Sequence, residues 1–495
     1  MQNTARVPYI IAHVQDLESS ERFYRQLFGK AGQALRVAAG AGEKALAIRV
    51  QGTTLLLIQK DGFTAERSTT QAFPVFEVAR LSAFHNHAKR YGVECVQEPG
   101  EAEDGLTAIY RDPDGLLLIV TEPAQHHGLV FSGGGAYGAF ELGVVKALAS
   151  ERRDATGEVS GPVFPMVMSG TSVGAYNAAY LACALGDRKE LGHAVDELTE
   201  IWRGRVAGGL HDNGVFRLRG DISRWPGIEG VMEDAAFLAR EAFARLAYAV
   251  TPPPLVSRVL HTLDISTMFS VAPLRSLIEE TIHWQALCKS PSQLRIATTD
   301  WKDGKVTLFG HGCSNFREMV TEDNLRDAIL ASTAIPGIFP PVDVTCTFGK
   351  GCHVRSYVDG GLLMNSPLNP AIDAGATVIH LVCLNPEVNK LPLQPISGTL
   401  SIIERALVTT VAGHVDSDLE RARLVNKMAG VVQRKHSEGY YRPLTVHRYH
   451  PSTEVLGGLS GILDFSKGHL NALIQDGIDC VLNHDCKQAK CVRPM

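Results

Sequence analysis

The apolar positions of the first part of the chain fall into two matching series. Tyr9 to Val14 is a short apolar run that predicts a strand. Leu17, Phe23, Tyr24, Leu27 and Phe28 then recur at helical spacing, and Gly29 ends the helix they predict. Ala45 to Val50 and Thr54 to Gln59 are apolar runs separated by Gln51-Gly52, the mark of a tight hairpin turn. The order then starts again. Phe73 to Val78 predicts a strand, Leu81 to Tyr91 a helix halted by Gly92, and Val93 to Gln97 another strand. Thr107 to Tyr110 and Leu116 to Val120 close the series as a hairpin around Asp112-Pro113-Asp114-Gly115. The pattern is a βαβββ unit stated twice, an internal repeat of about 60 residues.

Thr121 to His127 is a short polar connection containing Pro123, and there the pattern changes. Leu129 to Phe131 is an apolar run followed by a glycine-rich turn, and Phe140 to Leu148 has helical spacing. The next readable stretch has the same form. Met166 to Met168 predicts a buried strand, Gly170-Thr171-Ser172-Val173-Gly174 an abrupt turn, and Ala175 to Leu181 a helix. Further on, Ile265 to Glu280 reads as core, and Leu294 to Ala297 and Val306 to Phe309 as strands. A helix from Asn369 to Ala374 and a turn at Gly375-Ala376 precede a long buried strand ending at Leu384. Asn385 to Thr399 holds Pro386, Pro392 and Pro395 and predicts a loop; Ile402 to Val425 is largely helical. Thr445 to Tyr449 predicts a strand and Gly468 to Gly477 a helix.

Composition narrows the classes. At 495 residues the chain exceeds one average domain, and two or three are expected. Hydrophobic residues at 45% beside charged residues at 20% describe an ordinary soluble globular protein. A net charge of -5, with no Arg- or Lys-rich run, gives no support for nucleic-acid binding as the main task. The first residues lack the basic start and apolar core of a secretory signal, and no apolar run reaches the roughly 18 residues of a membrane span. Ten cysteines are too sparse for a disulfide scaffold, so a reducing, cytoplasmic setting is the default expectation. Cys480, Cys486 and Cys491 gather near the end, and His484 could complete a four-ligand zinc set with them. Their spacing is loose, and surface thiols on a tail are the simpler reading; no metal ligand and no cofactor is assigned.

Three stretches carry candidate chemistry. Strand, turn and helix around Ser172 form the context in which G-x-S-x-G is a nucleophile elbow, with Gly170 and Gly174 letting the chain reverse and expose the hydroxyl. The plainer alternative makes Ser172 a helix cap. Gly133-Gly134-Gly135-Ala136-Tyr137-Gly138 satisfies the glycine spacing of a dinucleotide loop, but no acidic residue ends a second strand about 20 residues on. The same turn suits an oxyanion hole, with the N–H groups of Gly134 and Gly135 as donors. Asp359, before Gly360 and Gly361, is either a turn residue or the base for Ser172. A Ser-acid-His triad would draw its histidine from His380, His414 or His469; His353 precedes Asp359 and breaks that order.

These motifs together resemble the patatin-like phospholipase family. Its glycine-rich turn is matched by Gly133 to Gly138, its nucleophile motif by Gly170 to Gly174 and its D-G-G motif by Asp359-Gly360-Gly361. Ala331-Ser332-Thr333-Ala334-Ile335-Pro336-Gly337-Ile338-Phe339-Pro340-Pro341 is similar to the segment that the family places before D-G-G. The resemblance implies an α/β fold in which Ser172 and Asp359 form a catalytic dyad that hydrolyses lipid acyl esters through an acyl-enzyme. Tyr137 stands where the family usually carries Arg or Lys, which removes a positive charge beside the hole and leaves neutral esters or lysolipids open. Within residues 184 to about 262, a predicted helix from Ala236 to Leu246 and the apolar Tyr248 to Leu260 region are a candidate acyl-chain pocket or lid; core packing explains the same spacing.

Val14 to Tyr24 and Arg111 to Gly115 resemble the signature pieces of the glyoxalase/bleomycin-resistance superfamily, whose enzymes hold a divalent metal with His and Glu in a cupped sheet. Here the family's ligand positions fall on Tyr9, Phe73 and Ile119, with Gln59 the one plausible oxygen ligand; His13 and Glu122 do not rescue the set. A metal-free cup or a pairing module is expected. The combined expectation is α/β: a patatin-like three-layer αβα domain behind an N-terminal α+β domain of two βαβββ units. The boundaries are 1–122, a linker at 123–127, a catalytic domain at 128–480 and a Cys-containing tail at 481–495. A lipid or other acyl-ester substrate, transient membrane contact and a homodimer through the N-terminal domain are the partners considered. The rival function is a non-catalytic lipid or small-molecule binding protein with a vestigial esterase site.

Overall fold

The computed structural model describes residues 9–14, 16–28, 33–39, 43–50, 53–59, 74–78, 81–102, 105–123, 125–150, 152–153, 159–208, 215, 217–218, 269–311, 318–336, 339–348, 351–384, 417–427, 435–436, 439–440, 443–452, 461–462 and 464–493. The chain divides into two compact units, with the break between Gln125 and His126.

In the N-terminal unit the repeat is visible strand by strand. β1 (Tyr9–Val14), α1 (Leu17–Phe28), β2 (Gln33–Ala39), β3 (Glu43–Val50) and β4 (Thr53–Gln59) make a sheet of order β1-β4-β3-β2. β5 (Val75–Glu77), α2 (Leu81–Arg90), β6 (Glu94–Ala102), β7 (Gly105–Arg111) and β8 (Leu117–Pro123) make its counterpart, β5-β8-β7-β6. In each, the first strand runs parallel to the last and the others are antiparallel. β2 escapes sequence reading because its Ala-rich composition and flanking glycines carry little β-propensity. Tyr24, Leu27, Leu57, Phe76, Tyr110 and Val120 share one apolar cluster.

The signature residues of this unit tie its two repeats together. Tyr24 Oη donates to Asp112 Oδ2 at 2.9 Å, and Ser20 Oγ donates to Asp114 Oδ2 at 2.8 Å. Asp112 Oδ1 also accepts the N–H groups of Asp114 and Leu116, which sets the turn between β7 and β8. Glu122 Oε2 accepts the Leu81 N–H at the start of α2, a helix N-terminus favouring a carboxylate. Ile119 is half-buried on β8; Phe73 and the side chains of Tyr9 and His13 lie outside the described residues.

The C-terminal unit is organised on a mixed sheet of nine strands. Its strands are β9 (His127–Phe131), β10 (Pro165–Thr171), β11 (Gln293–Asp300), β12 (Lys305–His311), β13 (Glu318–Met319), β14 (Val342–Phe348), β15 (Gly351–Asp359), β16 (Val378–Val382) and β17 (Thr445–Tyr449). The order is β13-β12-β11-β10-β9-β16-β17, and β15 pairs with β11 and β14 off that path. β11, β10, β9, β16 and β17 run parallel to one another. β9, β10, β11 and β16 are buried on both faces, as parallel strands under two helical layers must be. Alternate residues of β9 show those layers. Leu129 and Phe131 join an apolar cluster with α3 (Gly138–Leu148), α4 (Val173–Gly186), α5 (Leu191–Ile201) and α9 (Lys467–Leu482). Val130 joins another with Leu368 and Ala371 of α8 (Leu368–Asp373) and Leu419 and Ala422 of helix 417–427. Two further helices, α6 (Ala272–Thr281) and α7 (Leu325–Ser332), join the cluster of Leu129 and Phe131. The expected helix Ala236 to Leu246 and the Tyr248 to Leu260 region lie outside the described residues, as do Asn385 to Thr399 and His414.

Candidate active site

Ser172 is the single residue between the end of β10 and the start of α4. Its φ of 55° and ψ of -128° put a non-glycine residue in a region that ordinarily costs about 1–3 kcal/mol and persists where the surroundings enforce it. The enforcement is steric closure of the turn. A Cβ added at Gly170 would stand 2.2 Å from the carbonyl oxygen of Gly174, so strand and helix can approach only without one. The Ser172 N–H donates to Ser332 Oγ at 2.9 Å, and Ser332 Oγ donates in turn to the Ala297 carbonyl at 2.7 Å. Ser332 closes α7 and belongs to the segment recognised before D-G-G, though nothing in the sequence singled out that one hydroxyl.

Sheet register brings Asp359 to this serine. On β11, Ala297 pairs with Thr171 at the end of β10, and the next residue, Thr298, pairs with Asp359 at the end of β15. β10 runs parallel to β11 and β15 antiparallel, so the two strands arrive end to end along one edge of their shared neighbour. Asp359 Oδ1 accepts the Gly361 N–H at 2.7 Å, and its own N–H donates to Ala334 O at 2.9 Å. Only 5% of the residue is exposed, against 6% for Ser172. Burial pushes the Asp359 carboxyl up to about 6, against the lowering pull of the neighbouring Ser172 hydroxyl and the Gly361 N–H.

The glycine-rich turn packs against the serine and against Asn365 in the loop that follows Asp359. A Cβ on Gly133 would lie 3.0 Å from Ser172 Cβ and 2.6 Å from Asn365 Oδ1. The Gly133 N–H donates to Asn365 O, and Asn365 Nδ2 donates to Gly133 O, both at 3.2 Å. Ser132 and Ser366 hydroxyls meet at 2.6 Å, Thr171 Oγ1 donates to Met364 O at 2.8 Å, and Ser169 Oγ donates to Pro367 O at 2.8 Å. The loop after Asp359 is therefore pinned to the ends of β9 and β10 at once. Gly134 is extended and Gly135 left-handed at φ 57°, directly before the short helical turn Gly135–Tyr137. The N–H groups of Gly134 and Gly135 find no backbone acceptor among the described residues. Such groups at a helix start are suited to developing negative charge.

Other candidates go elsewhere. Tyr137 is buried with its ring 6.0 Å from that of His469, and a Cβ on Gly461 would stand 2.3 Å from its hydroxyl, so this side chain occupies the helical layer. His380 is buried on β16 and hydrogen-bonded to His127 and Tyr449 Oη, both at 3.2 Å, while His353 is exposed on β15. The expectation of thiols on a loose tail is corrected by the structure. His484, Cys486 and Cys491 converge with His447 of β17, whereas Cys480 Sγ donates to His450 O at 3.7 Å.

Comparison with known proteins assigns both parts of the chain. Residues 129–372 match the family model of patatin-like phospholipase, and residues 6–120 that of the Glyoxalase/Bleomycin resistance protein/Dioxygenase superfamily. None of the curated proteins matches the chain. Among solved structures it is similar to TnmS3, an antibiotic binding protein from Streptomyces sp. CB03234, at 20% identity over 25% of this chain and 100% of that one, with a TM-score of 0.22. A glyoxylase/bleomycin resistance protein/dioxygenase domain from Frankia sp. EAN1pec matches at 18% identity over 25% and 100%, TM-score 0.22. The fosfomycin resistance protein FosX from Listeria monocytogenes matches at 16% over 25% and 94%, TM-score 0.21. With its elbow, D-G-G turn and glycine-rich loop lying in the matched span, the chain carries a patatin-like phospholipase domain, of a lipid acyl hydrolase family, behind an N-terminal glyoxalase/bleomycin-resistance domain.

Proposed function

We propose that the C-terminal unit hydrolyses fatty-acyl esters with Ser172 as nucleophile and Asp359 as its base. The observation that carries this reading is the strand register of β11, which sets Thr171, directly before the strained elbow, one step from the enclosed Asp359 carboxyl. A carboxylate in water is too weak a base for an alcohol, but one pushed up to about 6 by burial is better matched to neutral pH. Ser172 Oγ attacks the ester carbonyl carbon as Asp359 takes its proton. The oxyanion gathers charge against the N–H groups of Gly134 and Gly135. Collapse breaks the ester C–O bond, and the leaving alcohol takes the proton from Asp359. Water then adds to the acyl-enzyme, its proton passing to Asp359, and Ser172 recovers that proton as the fatty acid leaves.

Neutral esters and lysolipids are the proposed substrates, since Tyr137 supplies no charge where the family usually carries Arg or Lys. Access to a lipid surface would be peripheral: no helix among the described residues is long and apolar enough to cross a membrane. The test is turnover of short- and long-chain esters by Ser172→Ala, which we expect to fall by about 10³-fold or more. Wild-type turnover by that variant would overturn the mechanism. Unchanged turnover by Asp359→Asn would point to a histidine base, and lipid binding by the wild-type chain without turnover would favour a vestigial site.

A further inference from the structure

The C-terminal segment is built into the sheet. After α9 the chain turns back, and Val492 exchanges two backbone hydrogen bonds, of 2.8 and 3.0 Å, with Val446 of β17. β17 is the last strand in the sheet order, so this return covers its outer edge, where unpaired backbone groups are a liability. The same return carries His484, Cys486 and Cys491 onto His447.

One donor atom from each of His447, His484, Cys486 and Cys491 lies within 4.8 Å of all the others, and all four residues are half-buried. Nδ1 of His447 is 3.5 Å from Sγ of Cys486, and Nε2 of His484 is 3.3 Å from Sγ of Cys491. Tetrahedral zinc, with metal–sulfur bonds of about 2.3 Å and metal–nitrogen bonds of about 2.0 Å, sets sulfur and nitrogen about 3.5 Å apart. Two thiols and two imidazoles are also the donor set that selects zinc over magnesium or calcium.

The groups behind the ligands are in place. The Arg448 N–H donates to Cys491 Sγ at 3.3 Å, and the Cys491 N–H donates to Cys486 O at 3.0 Å. His447 stacks 5.4 Å from His380, its register partner on β16, and the His484 ring lies 4.7 Å from that of Tyr449. Such contacts fix the orientation of ligating rings and sulfurs.

We propose that His447, His484, Cys486 and Cys491 bind one zinc-class divalent ion in a closed structural site that clamps the C-terminal segment to β17. Four metal–ligand bonds form, and the two thiol protons leave to solvent. With four protein ligands no position stays open for substrate, so the ion is a staple and the ester chemistry does not depend on it.

The test uses the full chain purified without chelator or added metal. Elemental analysis should give about one zinc per chain, falling below about a tenth in Cys486→Ser/Cys491→Ser. Cobalt(II) loading should produce tetrahedral d–d bands with thiolate charge transfer, lost in the same variant and weakened in His447→Ala. Should the double variant fail to fold, alkylation of the wild type decides: metal should shield Cys486 and Cys491, and chelator should expose them. A wild-type chain with neither metal nor a cobalt spectrum, or with a Cys486–Cys491 disulfide, would overturn the proposal. So would metal retained in the double variant, which would locate it instead at His85, Cys95 and Glu98 of the N-terminal unit.

Discussion

Asp359 is the residue at which folding and the proposed chemistry conflict. The folded chain holds its proton more tightly than the unfolded one, because burial raises the carboxyl from its usual value to about 6. Stability from this group is thus fully present below the unfolded pKa of about 3.9 and is lost as pH rises through about 6, a cost on the order of 3 kcal/mol by pH 8. Activity has the opposite sign, since only the ionised form accepts the Ser172 proton. We expect kcat/KM to rise with pH through an apparent pKa of about 6, read from an ester-hydrolysis profile. Asp359→Asn keeps an acceptor for the Gly361 N–H and offers Ser172 a donor. At pH 8 it should raise the Tm while abolishing turnover, as thermal unfolding and assay of one preparation would show.

At the scale of elements, the site is a junction of strand ends and helix ends. β10 delivers the hydroxyl, β15 the carboxylate, and α7 braces both: Ser332 accepts the Ser172 N–H, and Ala334, just after the helix, accepts the Asp359 N–H. Ser332→Ala removes one acceptor and leaves a buried N–H unpaired, at about 1–3 kcal/mol. Because that N–H sits at the strained turn, we expect kcat to fall with KM nearly unchanged. Restoration of turnover by Ser332→Thr would separate positioning from general loss of stability.

For the whole molecule, the two units carry separate apolar clusters, one around Tyr24 and Tyr110, the others on the two faces of the nine-stranded sheet. Separate cores predict separate unfolding steps. Tyr24→Phe deletes the buried hydrogen bond to Asp112, whose carboxyl burial already pushes up to about 6. The variant should lose about 1–3 kcal/mol in the N-terminal unit alone. Scanning calorimetry should show one transition lowered, with ester turnover at ambient temperature unchanged.

Much of this is local, and local features are legible in a sequence. The doubled βαβββ order, the strand-turn-helix around Ser172, the glycine-rich turn and D-G-G each depend on spacing within a few residues, where periodicity and glycine placement act directly. β2 is the exception, since Ala and Gly encode no strand preference and only pairing with β3 makes one. Tertiary structure decided what meets what. That Thr298 pairs with Asp359 one step beyond Ala297 and Thr171, that Ser332 and Asn365 hold the site, and that His447 rather than Cys480 joins the C-terminal cluster all follow from strand register and chain return. Register is set by which side chains the packed faces accept, an energy summed over the whole sheet, and no short stretch of sequence contains it.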